Sequence, residues 1–250
     1  PFLHIGGDEY RPADFAPGAS GRDGPRPDPA CAGFVADLQR HLRSRWNRGT
    51  MIYADAILGR PDVARRLTGD IVVVDWQYDP ADSFSSVRAL KRAGFTRILV
   101  SPGLWNWRTF YPNYGRAFAN IARSAEAGRR ESLPGAVAAS WGDGGSENLR
   151  ENNWTGYAYA AAAWWETVAP TREDFLERYA AVHYGPGASE LAAVERLLGW
   201  QAFDDQGWHG RMYHRRAIVR LRGAAWLARM ERLEADMTAA RGMIESSRSR

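Results

Sequence analysis

Short β-rich runs alternate with helical patterns over the first two thirds of the chain, and this alternation constrains the fold more than any other feature of the sequence. Five runs are typical of strands, and they lie at residues 2–5, 50–54, 71–76, 97–100 and 136–140. The run at 71–76, bounded by Asp70 and Asp79, is apolar enough to indicate a strand buried on both faces. Because helical segments separate the runs, the strands are expected to be parallel.

Each strand-like run is followed by a segment with the spacing of a helix. These helices are predicted at residues 32–45, 62–67, 85–92, 115–127 and 155–165. Eight β/α units in about 250 residues make a closed barrel. The alternation therefore predicts an α/β fold, namely the C-terminal part, about five β/α units, of a TIM (β/α)8 barrel.

The strand pattern stops after Pro170, and three further helices are predicted at residues 172–183, 189–199 and 212–244. This change divides the chain into residues 1–167, the barrel part, and residues 168–250, a helical region. The first residues already have a strand pattern and include no initiator Met. We therefore expect the missing N-terminal part of the same protein to be a partner of this chain.

Composition excludes several classes of function. Among the 250 residues no run of about 18 apolar residues occurs, so no membrane span is expected. The basic residues are scattered among 29 acidic ones, which argues against nucleic-acid binding. Cys31 is the single cysteine, which excludes an intrachain disulfide and a multi-cysteine zinc site. No cofactor is predicted, and the localisation stays open.

The predicted strand ends are rich in aromatic and acidic residues. In barrels of this kind the active site lies at the C-terminal ends of the strands. An aromatic face stacks on the C–H face of a pyranose, and carboxylates accept hydrogen bonds from its hydroxyls. The strand ends therefore predict a carbohydrate site, with these candidate residues: Asp8, Glu9, Tyr53, Asp55, Trp76, Trp105, Trp107, Trp141 and Asp143.

Asp8 and Glu9 form the sharpest of these features. Neighbouring carboxylates repel, so that one can stay protonated while the other is ionised, which supplies a general acid beside an ionised group. Gly6 and Gly7, just before them, let the backbone approach a ligand closely. From the residues alone, an ordinary glycine turn followed by a surface glutamate is the alternative.

The hexapeptide from His4 to Glu9 resembles the strand-four signature of glycoside hydrolase family 20, the β-N-acetylhexosaminidase family. The resemblance covers residues 1–167. Later segments fall where that family has strands five to eight, and these are Tyr53-Ala54-Asp55, Trp76, Ser101-Pro102 and Trp141-Gly142-Asp143. The stretches 105–113 and 141–154 are similar to a divergent bacterial branch of the family.

The resemblance implies a retaining glycosidase that removes terminal N-acetylhexosamine by substrate-assisted catalysis. Glu9 would be the general acid/base, and Asp8 would orient the 2-acetamido group, whose carbonyl oxygen attacks the anomeric carbon. Trp141 and Trp76 would form the wall of the pocket, and Asp143 would bind sugar hydroxyls. A secreted or periplasmic location would be the family's usual one.

Three positions, on two predicted strands, depart from the family pattern. Tyr53 stands where most members have tryptophan. Strand seven usually carries a tyrosine, which bonds the acetamide carbonyl, and an aspartate two residues on, whereas Trp105 and Trp107 stand here. The indole N–H of Trp105 and the phenol of Tyr111 are the two alternatives for the missing donor. These departures bear on sugar specificity more than on hydrolase chemistry.

Two other functions stay open at this point. The missing Tyr-x-Asp pair is compatible with a catalytically altered relative that only binds sugar, or with a glycosidase of different sugar specificity. A metal-dependent hydrolase is the other alternative, since Asp8, Glu9, Asp55 and Asp143 are all oxygen ligands. Loss of activity after addition of a chelator would favour the metal-dependent hydrolase.

Overall fold

Four parallel strands form the sheet in the computed structural model, which describes residues 1–9, 29–67, 69–107, 109, 111–143, 148–185, 188–200 and 224–248. The strands are β1 (Phe2–His4), β2 (Gly49–Tyr53), β3 (Val72–Trp76) and β4 (Ile98–Ser101), and they are hydrogen-bonded in this order. Every neighbouring pair is parallel. The α/β class and the parallel sheet are therefore confirmed.

Helices separate the strands and follow them. They are α1 (Pro29–Trp46), α2 (Pro61–Ala64), α3 (Ser85–Arg92), α4 (Tyr114–Arg130), α5 (Trp154–Trp165), α6 (Arg172–His183), α7 (Ser189–Gly199) and α8 (Ala224–Arg248). The start of the predicted last helix, residues 212–223, lies outside the described residues. In the described helices, no segment has the length and hydrophobicity that a membrane crossing requires.

The predicted fifth strand at residues 136–140 is wrong for the described residues, where only two isolated parallel bridges form. They join Val100 to Ala136 and Gly103 to Ala139. Pro102, in the facing segment, has no N–H to donate. The N–H of Gly103 donates to the Asn120 side chain instead, at 2.9 Å. Neither Pro102 nor Gly103 therefore donates a main-chain hydrogen bond to the segment at 136–140. As a result, no continuous strand pairs with β4 on this side.

The chain forms two compact units. The first contains residues 1–77, 81–101 and 127–137, and the second contains residues 78–80, 102–126 and 138–250. This is a different division from the one predicted at residue 167, which stays a prediction. In the first unit, α1 packs against β2 and α2, and the inner positions of the sheet are filled by aliphatic side chains, among them Ile52, Val73 and Ile98.

Aromatic and alanine side chains build the core of the second unit. The ring of Phe118 from α4 stacks on that of Tyr159 from α5, with centroids 3.7 Å apart, and meets Phe175 from α6 edge-on. The small alanines of α5 permit such a close approach, and α8 packs against α7. Helices α6 and α7 therefore share one core with α4 and α5.

Candidate active site

The carboxylate of Asp55 links three strand ends of the first unit. Asp8 and Glu9 follow β1, Asp55 follows β2, and Trp76 ends β3. The N–H of Glu9 donates to Asp55 Oδ2 at 2.6 Å, and Trp76 Nε1 donates to Asp55 Oδ1 at 3.1 Å. Since the C-terminal ends of parallel strands lie at one edge of a sheet, these contacts place the predicted acids and an indole together at that edge.

The glycines before Asp8 and Glu9 are required by the backbone. Gly6 and Gly7 have φ values of 75° and 94°, in the region that favours glycine. A Cβ added to Gly7 would lie 3.0 Å from Ala56 Cβ and 3.2 Å from Ile52 Cγ1. The turn therefore needs glycine both for its conformation and for its close packing on β2 and the residues after it.

Glu9 has a left-handed backbone, with φ 52°. This conformation is uncommon for a residue with a Cβ, and strained residues of this kind cluster at functional sites. Its hydrogen bond to Asp55 fixes the main chain at this point. The side chains of Asp8 and Glu9 are both exposed.

His4 and Tyr53 form an aromatic contact beside Asp8. Their ring centroids are 4.3 Å apart, and His4 Nδ1 accepts a hydrogen bond from the N–H of Gly6 at 3.0 Å. Partial burial lowers the pKa of the His4 imidazole, while the charge of Asp8 opposes this effect. Burial raises the pKa of the Tyr53 phenol, and the charges of Asp8 and Asp55 raise it further. Burial therefore favours the neutral form of both rings.

Asp75 is a functional candidate that the sequence analysis missed. It lies within β3, is 1% exposed, and accepts hydrogen bonds from Ser86 Oγ at 2.6 Å and Gln77 Nε2 at 3.2 Å. Burial raises the pKa of its carboxyl, the two hydrogen bonds oppose this, and the nearby charge of Asp55 adds to it. An acid inside an otherwise apolar strand was the signal that could have identified it.

Substitution of Asp75 by asparagine is expected to change how stability depends on pH. Because burial raises the folded-state pKa of Asp75, its contribution is fully present below the unfolded-state pKa and is lost as the pH rises through the folded-state pKa. Asparagine does not titrate, so the stability of Asp75→Asn relative to the native chain should rise as the pH increases above the ordinary pKa of an aspartate, about 4. Urea unfolding at several pH values measures this, with Asp37→Asn at an exposed site as the control. Parallel pH profiles for the native chain and Asp75→Asn would contradict it.

In the second unit, three indoles surround Tyr78. Trp105 Nε1 donates to the carbonyl oxygen of Tyr78 at 2.5 Å, and Trp141 Nε1 donates to its hydroxyl at 2.7 Å. The Tyr78 ring lies 5.0 Å from that of Trp107. Asn106 fixes Trp141 further, through two hydrogen bonds of 3.1 Å with its main chain. Tyr78 was not among the predicted site residues, although it stands two residues after Trp76.

The members of this aromatic cluster, Tyr78, Trp105, Trp107 and Trp141, differ in exposure. Trp105 and Trp107 are buried, at 7% and 8%, whereas Tyr78 and Trp141 are half-buried. The guanidinium of Arg116 lies 3.4 Å above the Trp105 ring and covers that face. Tyr78 and Trp141 are therefore the members that present surface to solvent.

Both alternatives for the missing phenol donor already make hydrogen bonds. The Trp105 indole donates to Tyr78, and the Tyr111 hydroxyl donates to Glu195 Oε2 at 2.6 Å. Glu195 is buried and also accepts from Thr155 Oγ1 at 2.8 Å. Either donor would have to give up an existing partner before it could bind an acetamide group.

The structure thus brings five of the predicted residues together in the first unit: Asp8, Glu9, Tyr53, Asp55 and Trp76. In the second unit it brings Trp105, Trp107 and Trp141 together, and Asp143 is exposed. Within the described part of the chain, no group of three or more His, Cys, Asp or Glu side chains is arranged to hold a metal ion. The roles of all these residues stay predictions.

Comparison with known proteins adds no assignment. The sequence matches no protein-family model, and no curated protein matches it.

Proposed function

We propose that this chain is the C-terminal part of the catalytic (β/α)8 barrel of a retaining glycosidase that resembles β-N-acetylhexosaminidases. The observation that carries the proposal is the hydrogen-bonded arrangement of Asp55 with Glu9 and Trp76 at the C-terminal edge of a parallel sheet. This edge is where barrel enzymes carry their catalytic groups. The catalytic roles of Asp8 and Glu9 come from the resemblance between the family signature and the hexapeptide that runs from His4 to Glu9.

In the proposed reaction Glu9 is the general acid/base. Its carboxyl protonates the glycosidic oxygen as the bond to the anomeric carbon breaks, and its carboxylate later takes a proton from the attacking water. The exposed position of Glu9 suits contact with a substrate, and the bond between its N–H and Asp55 holds its main chain in place. Asp55 is then a positioning residue.

Asp8 orients the 2-acetamido group in this scheme, and the carbonyl oxygen of that group is the nucleophile. Asp8 and Glu9 are consecutive residues of the turn that follows β1, so one short stretch of main chain carries both acids. Retaining enzymes with two catalytic carboxylates need them about 5–5.5 Å apart on opposite sides of the glycosidic bond. A nucleophile supplied by the substrate removes this requirement.

Aromatic groups near the acids supply sugar contacts. Trp76 is half-buried at the end of β3, and its indole is oriented by Asp55. Tyr53 lies beside Asp8. A pyranose stacked on such a ring gains apolar contact without loss of its hydroxyl hydrogen bonds. The second-unit residues Trp105, Trp107, Trp141 and Asp143 enter the proposal only through the resemblance.

Calorimetry with two ligands tests the proposal. N-acetylglucosamine is the product-like sugar, and an acetamide-thiazoline analogue mimics the cyclised intermediate. We expect the analogue to bind at least about 100-fold more tightly than the sugar, since transition-state mimics gain the interactions that drive catalysis. Aryl β-N-acetylhexosaminides should be hydrolysed, and the matching β-glucoside, which lacks the internal nucleophile, should not.

A sugar-binding relative without hydrolase activity is the second candidate function. It is favoured by the existing hydrogen bonds of Trp105 and Tyr111, which leave the acetamide carbonyl without an identified phenol donor. Equal affinity for the sugar and the analogue, together with no hydrolysis, would identify such a binder and overturn the proposed enzyme.

A further inference from the structure

Glu195 is a buried carboxylate of the second unit that the proposed reaction does not use. It lies within α7 and is 7% exposed. Its oxygens accept hydrogen bonds from three hydroxyls, those of Tyr111 at 2.6 Å, Thr155 at 2.8 Å and Tyr184 at 3.3 Å. Thr155 lies in α5, Tyr184 follows α6, and Tyr111 lies in the segment between Trp105 and α4. Glu195 therefore joins three separate segments to α7.

The bond between Glu195 and Tyr111 has the short length of a charge-assisted hydrogen bond. Burial raises the pKa of the Glu195 carboxyl, whereas the three hydroxyls and the charge of His183 lower it. Burial, together with the charge of Glu195, raises the pKa of the Tyr111 phenol. The phenol therefore stays protonated and remains the donor to this carboxyl.

Tyr111 belongs to loop 105–113, which carries two tryptophans of the aromatic cluster. The N–H of Asn113 donates to the carbonyl oxygen of Trp105 at 2.9 Å, so the two ends of the loop are joined. Trp105 has a left-handed backbone, with φ 51°, which is uncommon for a residue with a Cβ. Such a conformation persists only where the surrounding contacts hold it. The bond from Tyr111 to Glu195 is a contact of this kind, because it attaches the loop to α7.

Loop 105–113 in turn orients the exposed members of the aromatic cluster. The indole of Trp105 donates to the carbonyl oxygen of Tyr78. The side chain of Asn106 makes two hydrogen bonds with the main chain of Trp141. The orientation of both Tyr78 and Trp141, which present surface to solvent, therefore depends on the position of this loop.

We propose that Glu195 is a positioning residue that holds loop 105–113 through Tyr111 and so keeps Tyr78 and Trp141 oriented for contact with a sugar. The inference rests on the proposed function only in naming a sugar as the ligand. Rings that are already oriented before binding lose less conformational freedom when the ligand arrives, which strengthens binding.

A contribution to core stability alone is the competing explanation for Glu195. Loss of core stability would increase fluctuations throughout the second unit. Loss of a contact that positions one loop would increase them in that loop first, because proteins open locally as well as globally. The exchange of backbone amide hydrogens, measured segment by segment, separates these two explanations.

Hydrogen exchange followed by mass spectrometry on the full-length protein is the first test. Tyr111→Phe removes the hydroxyl and keeps the ring. We expect exchange in loop 105–113 to become about tenfold faster or more, since one charge-assisted hydrogen bond is worth about that factor, while exchange in α4 stays unchanged. Glu195→Gln, which removes the charge, should act in the same direction.

Tyr184→Phe is the matched control, because it removes a phenol hydroxyl from the same carboxylate at a position outside the loop. Exchange in loop 105–113 should change much less in this variant. The positioning role would be overturned by unchanged loop exchange in Tyr111→Phe, by equal acceleration in the loop and in α4, or by equal loop acceleration in Tyr184→Phe.

Steady-state kinetics of Tyr111→Phe is the second test. With an aryl β-N-acetylhexosaminide we expect KM to rise at least about threefold and kcat to stay within about twofold, because the oriented rings bind the sugar but transfer no proton. An unchanged KM despite a loosened loop would overturn the positioning role. So would a large fall in kcat, which would show that Tyr111 itself contacts the reacting acetamide group.

The two tests also separate this inference from the proposed function. A full-length protein that neither binds nor hydrolyses N-acetylhexosaminides would refute the proposed function and, with it, the sugar as the ligand of the oriented rings. The exchange data would still decide whether Glu195 holds loop 105–113, since they require no substrate.

Discussion

Replacement of Glu9 by glutamine should lower the turnover of an aryl β-N-acetylhexosaminide by about 10²–10⁴-fold, because the amide cannot donate or accept the catalytic proton. Binding of the sugar should survive, since glutamine has the same size and keeps the N–H that donates to Asp55. Steady-state kinetics on the full-length protein, with the N-terminal part of the barrel present, separates the loss in kcat from any change in affinity, which calorimetry measures.

Glu177→Gln is the matched control for this experiment. Glu177 is an exposed glutamate on α6, outside both groups of candidate residues, and its replacement should leave turnover unchanged. Turnover of Glu9→Gln within about threefold of the native value would reject the general acid/base role, since loss of a general acid costs far more than this.

Truncation of Phe118 to alanine is expected to give the largest loss of stability. The ring is 4% exposed, stacks on Tyr159, and contacts Phe175 and Trp200 edge-on. A buried Phe→Ala change costs about 3–5 kcal/mol, because it removes apolar contact and leaves a cavity. For a chain of this size each kcal/mol lowers Tm by about 2–4 °C, so the expected fall is about 6–20 °C.

Phe34→Ala makes the same chemical change at a position that is 67% exposed, and its effect should be within about 0.5 kcal/mol. Thermal unfolding followed by near-ultraviolet circular dichroism measures both variants. If Phe118→Ala and Phe34→Ala melted at the same temperature, Phe118 would not be part of the second-unit core.

The order and bounds of the helices and strands were largely predictable, because local sequence specifies them. Helices α3, α6 and α7 have the predicted bounds, and the four strands begin and end within one residue of the predicted positions. Periodic apolar side chains fix which face of an element can be buried, and glycine or proline fixes where it ends. The predicted fifth strand was wrong for two reasons. Pro102, which the sequence shows, removes one donor, and the hydrogen bond from Gly103 to Asn120, which local sequence does not show, removes another.

The candidate site was predictable in part. The acids and aromatic residues at the strand ends were identified because parallel strands place their C-terminal ends at one edge. Asp75 was missed, because its carboxyl is stabilised by Ser86 and Gln77 in ways that appear only once β3 and α3 are packed. The sequence could not show that Trp105 and Trp107 are buried, since tryptophan occurs both in cores and in binding sites.

By itself the sequence determined the order of strands and helices, the parallel sheet and the presence of adjacent acids after the first strand. Only the tertiary structure decided that Asp55 bonds the main chain of Glu9 and that Tyr78 is surrounded by indoles. The reason is physical: periodicity reports burial within a few residues, whereas these contacts join segments that are 46, 27 and 63 residues apart and form only when the elements pack.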